Sequence, residues 1–227
     1  MKIYLDSANL AAIKQYPFIE GMTTNPTIMF KAGIKDYEAF AKEVLAAIGA
    51  MPISFEVFAD EFPEMERQAK KIGQWGNNAY IKIPITNTKG QSALPLIRTL
   101  LDLDLRINIT AILTNEQIDE VYSILKPEDI VIVSIFAGRI ADTGVDPMPA
   151  VKRAVEKYKN LPKAEILWAS TREIFNVEQA ESAGCHIITV PEDILKKFSM
   201  RGKNLKEMSL DTVKTFYTDA VEAGFSL

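Results

Sequence analysis

Short apolar runs alternate with longer segments of helical period along this chain. The runs of strand length lie at 2–6, 20–25, 52–58, 79–85, 105–110, 130–136, 164–170 and 185–190. Amphipathic segments follow each of them, at 9–16, 35–48, 62–75, 89–102, 114–124, 147–160, 171–182 and 192–199, and one more covers 209–224. Start signals agree in places. Thr114 precedes Asn115-Glu116-Gln117, and Asp146-Pro147 offers a cap with proline in the first turn. Strands alternating with helices specify parallel βαβ units. Eight such units specify an α/β protein closed as a single (β/α)8 TIM barrel, ahead of an open doubly wound sheet. No composition shift or linker divides residues 1–227, so they read as one barrel domain. Arg201-Gly202-Lys203-Asn204 breaks the pattern, and 201–227 reads as a C-terminal helical extension, an additional helix free to pack on a neighbour.

Side chains alternate along a strand, and a barrel draws its reacting groups from the C-terminal ends of its strands. Polar residues recur on one parity there. Strand by strand they are Tyr4 and Asp6, Thr23 and Asn25, Ser54 and Glu56, Lys82, Arg106 with Asn108 and Thr110, Ser134 with Phe136, and Ser170 with Arg172 just beyond. The eighth run offers none. Each has an ordinary explanation taken alone. Asp6 before Ser7 suits a helix cap, Thr23-Thr24-Asn25-Pro26 a turn, and Lys82 an edge strand facing water. Arg139 and Arg172 suit surface ion pairs. Together they converge on one rim and need a shared explanation. A lysine inside a protein is paired or working. Burial favours its neutral amine, which attacks a carbonyl to form a Schiff base. Carboxylates, asparagines and arginines around such a lysine point to Schiff-base chemistry on a sugar phosphate.

Composition narrows the alternatives. The 227 residues carry a net charge of −4 and a sequence pI near 5.3, with no basic stripe, so nucleic acid is not an expected partner. No apolar run reaches the length of a membrane span, and the opening residues are too short a run for a signal peptide. Cys185 is the single cysteine, which excludes an intrachain disulfide and fits a cytoplasmic protein. His186 beside it would face the other side of a strand, so the pair reads as structural. No metal-ligand spacing and no glycine-rich nucleotide loop is present, so neither metal nor cofactor is expected.

These residues carry a resemblance to a known family. Leu5-Asp6-Ser7-Ala8, Gly21-Met22-Thr23-Thr24-Asn25-Pro26-Thr27, Ile81-Lys82-Ile83-Pro84, Asn108-Ile109-Thr110, the run from Ser134 to Ile140, and Ala169-Ser170-Thr171-Arg172 resemble the transaldolase family. The likeness is to its short form, which also holds fructose-6-phosphate aldolases, and it covers nearly the whole chain. The resemblance implies that Lys82 forms the Schiff base and that Asp6 is the general base. It implies that Glu56 with Thr110 activates a water. Thr23, Asn25, Asn108, Ser134 and Phe136 would surround the dihydroxyacetone moiety, and Arg139, Ser170 and Arg172 the phosphate. Glu56 and Phe136 match the transaldolase branch, where aldolases carry Gln and Tyr. Ile135 departs from the proline common in relatives. The implied reaction transfers dihydroxyacetone from sedoheptulose 7-phosphate to glyceraldehyde 3-phosphate, as in the pentose phosphate pathway. An aldolase releasing free dihydroxyacetone, or a transaldolase for a sulfonated ketose, remains an alternative. The implied partners are sugar-phosphate substrates and further copies of the chain, as a decamer or pentamer.

Overall fold

The eight apolar runs form eight parallel strands, and hydrogen bonding closes them into a barrel in sequence order. The structure, a computed structural model, describes residues 1–226. The strands are β1 (Lys2–Asp6), β2 (Gly21–Thr23), β3 (Ile53–Glu56), β4 (Ala79–Pro84), β5 (Ile107–Ile112), β6 (Val131–Ile135), β7 (Ala164–Trp168) and β8 (Ile187–Pro191). Around them run α1 (Leu10–Gln15), α2 (Pro26–Lys31), α3 (Tyr37–Ile48), α4 (Phe62–Gly73), α5 (Leu94–Leu101), α6 (Asn115–Ile124), α7 (Ala137–Asp142), α8 (Met148–Tyr158), α9 (Phe175–Ser182) and α10 (Glu192–Leu195). The chain is therefore a (β/α)8 barrel of the α/β class, as its alternation predicts.

Two compact units divide the chain. Met1–Leu195 is the barrel, and the second unit begins at Lys196. The second unit holds a 3-10 turn (Phe198–Met200) and helix α11 (Leu205–Glu222). Asn204 caps α11 by accepting from the N–H groups of Lys206 and Glu207, which starts the helix earlier than its apolar period indicates.

Two helices went unpredicted. In α2 the Asn-Pro pair that suggests a turn is instead an N-cap with proline in the first turn, and Asn25 Oδ1 accepts from Ile28 N at 3.0 Å. In α7 six residues follow Phe136 with no side-chain cap. The expected helix at 89–102 shortens to α5, because Thr86 and Ser92 bridge across the turn before it. Thr114 does form a full capping box with Gln117.

Two apolar layers hold the barrel. Outside, Leu5, Ile81, Ile83, Ile109, Val133 and Ile188 are fully buried, as are Ala41, Met65, Ile97, Ile118 and Val151 of the surrounding helices. Each of these side chains larger than alanine contributes about 1.5–3 kcal/mol, against about 0–1 kcal/mol for exposed pairs such as Lys70–Glu66, so packing dominates. Inside, Tyr4, Tyr80, Ile132, Leu167, Ala169 and Ile187 form a plug. Gly21 makes room for it, since a Cβ there would lie 2.4 Å from the Tyr4 ring. Arg106, expected among the pocket residues, instead sits with its guanidinium 6.0 Å from the Tyr80 ring centre, beside this plug.

Candidate functional site

Register brings the polar strand ends together. Asp6 pairs with Thr23, Thr23 with Ser54, Glu56 with Lys82, and Lys82 with Asn108. Partners across a parallel ladder project to the same face, so these side chains meet inside the barrel. The twelve residues to which the family resemblance gives a role line one cavity of about 630 Å³: Asp6, Thr23, Asn25, Glu56, Lys82, Asn108, Thr110, Ser134, Phe136, Arg139, Ser170 and Arg172.

Lys82 is 6% exposed. Its Nζ lies 2.9 Å from Glu56 Oε2 and donates to the carbonyl of Thr24 at 3.1 Å. A buried ammonium needs such partners, and the same contact lets a proton pass from lysine to glutamate. Asp6 faces Lys82 from β1. Burial pushes the Asp6 carboxyl above the ordinary aspartate range; Lys82 and a Thr23 hydrogen bond pull it down, and Glu56 pushes it further up. Two carboxylates thus flank one lysine in different settings, an arrangement that separates acid–base roles.

The hydroxyl of Thr23 donates to Asp6 Oδ1 at 2.7 Å and lies 2.5 Å from the hydroxyl of Thr189. Thr189 is on β8, the strand expected to send no polar group inward, and it also lines the cavity. It shares a parity with Ile187 and Pro191. The parity that singles out Thr23 and Thr110 applies equally to Thr189, which the expected site omits. Further round, Ser134 donates to Asn108 Oδ1 at 2.7 Å, and Asn108 Nδ2 donates to Ser54 Oγ at 2.9 Å. This buried chain fixes the amide so that its remaining N–H is directed by the network.

Thr110 lies next to an irregularity. The β5–β6 register shifts between Ile109 and Ile112, and Ala111 takes φ 61°. A bulge of this kind re-aims a side chain. The Thr110 hydroxyl is buried and has no protein partner, which leaves it available to a water or substrate oxygen. Asn25 uses its carbonyl oxygen to cap α2, which leaves its amide N–H groups unspent for the cavity.

The rim on the β6–β7 side is cationic. Arg139 projects from α7 and Arg172 from the loop after β7. Arg172 Nε and Nη2 bind the two oxygens of Asp142 at 3.1 and 2.5 Å. Lys31 of α2, unforeseen, also lines the cavity. Ser170 corrects the parity argument. Leu167 and Ala169 join the interior plug, which leaves Ile166 and Trp168 on the helix-facing parity, and Ser170 with them. Ser170 reaches the cavity because its backbone turns left-handed, at φ 64°. Ser170 and Ala111 are both strained for non-glycine residues; Ser170 lines the cavity, and Ala111 adjoins Thr110, which does.

Cys185 is buried, with its thiol pushed up to about 12, and His186 Nδ1 accepts from Ile166 N at 3.0 Å. Both precede β8 and neither lines the cavity. Among the described residues no cluster of His, Cys, Asp and Glu has a metal-binding arrangement, and no helix is long and apolar enough to cross a membrane.

The chain is similar to proteins of known family. A family model described as transaldolase/fructose-6-phosphate aldolase matches residues 3–227. A probable transaldolase 2 from Listeria monocytogenes is 33% identical over 201 residues, covering 87% of this chain and 88% of that protein. A probable transaldolase from Streptococcus pyogenes is 32% identical over 225 residues, covering 96% and 97%. Among solved structures, 3-hexulose-6-phosphate synthase from Salmonella typhimurium superposes with a TM-score of 0.60 at 12% identity, covering 86% of this chain and 91% of that one. That last likeness concerns the fold alone.

Proposed function

The chain belongs to the transaldolase/fructose-6-phosphate aldolase family, and from that premise we propose that it transfers a three-carbon dihydroxyacetone unit between sugar phosphates through a Schiff base on Lys82. The observation that carries the reading is the buried Lys82, paired with Glu56 and facing Asp6, in a cavity with two arginines at its rim. In this mechanism Glu56 takes a proton from the ammonium, and Nζ attacks the ketose C2 carbonyl. The carbinolamine loses water to give the imine. Thr110 and Glu56 hold that water and pass its protons, a task that suits the unpartnered Thr110 hydroxyl. Asp6 accepts the proton of the C4 hydroxyl. The C3–C4 bond breaks, its electron pair moves into the imine, and an aldose phosphate leaves. The enamine then attacks a second aldose phosphate and the steps reverse.

Asn25, Asn108, Ser134 and Thr23 would hold the hydroxyls of the three-carbon unit, with Phe136 packed beside it. Arg139, Ser170 and Arg172 would hold the phosphate, where guanidinium geometry gives paired contacts. The donor is sedoheptulose 7-phosphate or fructose 6-phosphate. Glu56 and Phe136, the branch-distinguishing positions, favour transfer over release of free dihydroxyacetone. The exposed apolar residues of α11, among them Leu205, Phe216 and Tyr217, suit packing against another copy of the chain, which sedimentation would detect.

Incubation with fructose 6-phosphate followed by borohydride reduction tests the mechanism. The expected result is one adduct, mapped by mass spectrometry to Lys82 and absent in Lys82→Ala. An adduct on another lysine, or none, refutes it. A coupled assay with and without erythrose 4-phosphate then separates transfer from simple cleavage.

A further inference from the structure

We propose that Thr189 is a positioning residue for Asp6, acting through the hydroxyl of Thr23 across the barrel interior. The proposal rests on the reading of Asp6 as the general base. It starts from strand order. β1 lies between β2 and β8, so Asp6 has Thr23 beside it on one flank and Pro191 on the other. Thr23 pairs directly with Asp6, whereas Thr189 pairs with Tyr4, two residues lower on β1. Inside a narrow barrel the two threonines still meet, with their hydroxyls 2.5 Å apart. They are 2% and 5% exposed, so the contact is shielded from bulk water.

Proton counting sets the direction. A hydroxyl has one proton to donate, and an ionised carboxylate only accepts. Thr23 spends its proton on Asp6 Oδ1. The Thr23–Thr189 contact therefore needs the proton of Thr189, and the chain runs Thr189 to Thr23 to Asp6. Donation into Thr23 polarises its hydroxyl and strengthens the bond it makes to the carboxylate. It also holds the Thr23 rotamer, and with it the face of Asp6 turned to the substrate. Thr189 is anchored in turn, since its carbonyl accepts from the buried hydroxyl of Thr171 at 2.7 Å. Once Asp6 has taken a proton it becomes a donor, and the same chain runs in reverse. In that direction the Thr189 hydroxyl proton has no protein acceptor, so the relay favours the ionised base.

Other groups also act on Asp6. Lys82 faces it from β4 and Glu56 from β3, and the cations Lys31, Arg139 and Arg172 line the same cavity. The Thr189 effect must be read against this fixed background, which a change on β8 does not remove.

Thr189→Val keeps the shape and removes the donor. It should raise the Asp6 titration midpoint by about half a pH unit and lower kcat by roughly two- to fivefold. The acid limb of the kcat/KM profile should move up with it, because the base must be ionised to work. Thr189→Ser restores the donor and should restore both. The titration is read directly by carbon NMR of the Asp6 carboxyl in the free protein, so it reports on the relay even if turnover follows another mechanism. Where the valine variant does not fold, Thr189→Ala gives the same reading. An unchanged Asp6 titration in a folded valine or alanine variant overturns the proposal. So does a serine variant that titrates like the valine one.

Discussion

Arg172 meets the cavity with one edge of its guanidinium already committed, since Asp142 grips Nε and Nη2 at 3.1 and 2.5 Å. The Nη1 edge is left for a ligand. The backbone N–H of Arg172 is pinned as well, donating to Asn176 Oδ1 at 2.8 Å. Both side chains of the pair are about half exposed, so solvent screening leaves it little effect on stability. Its consequence lies in orientation. Arg172→Ala should lower kcat/KM for fructose 6-phosphate about 10- to 100-fold, since charged hydrogen bonds are worth about 1.5–3 kcal/mol. Asp142→Asn should raise KM about two- to fivefold with kcat unchanged. Neither should affect unphosphorylated fructose. Tighter binding in Asp142→Asn would mean that Asp142 competes with the phosphate.

Arg139 should behave like Arg172. It stands on α7, and the rim site has a second guanidinium only while α7 is in place. Arg139→Ala is expected to lose about 10- to 100-fold in kcat/KM on phosphorylated ketoses. Equal losses on fructose would mean that Arg139 supports the rim and reads no phosphate.

Glu56 and Phe136 set the fate of the enamine. Glu56→Gln removes the proton acceptor 2.9 Å from Lys82 Nζ and should slow transfer about 100-fold. Phe136→Tyr adds a hydroxyl near the enamine and should favour its protonation. The double variant should shift product toward free dihydroxyacetone, measured as the ratio of released to transferred three-carbon units. An unchanged ratio would locate the branch determinant elsewhere.

The legible part of the site is the part that strand periodicity controls. Asp6, Glu56, Lys82 and Asn108 are conspicuous because charges and amides interrupt aliphatic strands with period two. Thr189 is less conspicuous because no charge or amide shares its parity on β8, whereas Asn25 and Asn108 mark the runs of Thr23 and Thr110. Ser170 lies off the interior parity, and its approach to the cavity depends on a left-handed backbone that its sequence does not announce. The bulge at Ala111 is equally silent, as alanine has no preference for φ 61°. Helices α2 and α7 are six residues each, less than two turns, too short for a period to show. The Arg172–Asp142 pair joins residues 30 apart, a contact only the folded barrel creates.

Asp6 has a stability cost that follows from its burial. Its folded-state pKa lies above the value of about 3.9 for an unfolded aspartate. The folded protein therefore holds the proton more tightly. The associated stability is present below the unfolded pKa and is lost as pH rises through the folded one. At neutral pH the ionised group weighs against the fold. Asp6→Asn should be inactive yet more stable than the parent at pH 8, with the difference shrinking as pH falls toward the unfolded aspartate pKa. Urea midpoints followed from pH 8 downward check this. A parent protein more stable than the variant at pH 8 would contradict the direction.

Gly138 couples the rim to the barrel. An added Cβ would lie 1.6 Å from the carbonyl oxygen of Ser170 and 2.8 Å from its carbonyl carbon. Both are backbone atoms, so no side-chain rotation relieves the clash. Either α7 lifts away with Arg139, or the strained loop at Ser170 shifts with Arg172. Overpacking against side chains costs about 1–3 kcal/mol, and a backbone collision belongs at the upper end. Gly138→Ala should therefore lose about 3 kcal/mol of stability, measured by urea unfolding. In the folded fraction, KM for phosphorylated ketoses should rise, while borohydride trapping of Lys82 by dihydroxyacetone continues. The lysine stands on β4, with Glu56 beside it on β3, and neither strand carries the displaced segment. Loss of trapping together with phosphate recognition would show that the rim and the reacting centre move as one body.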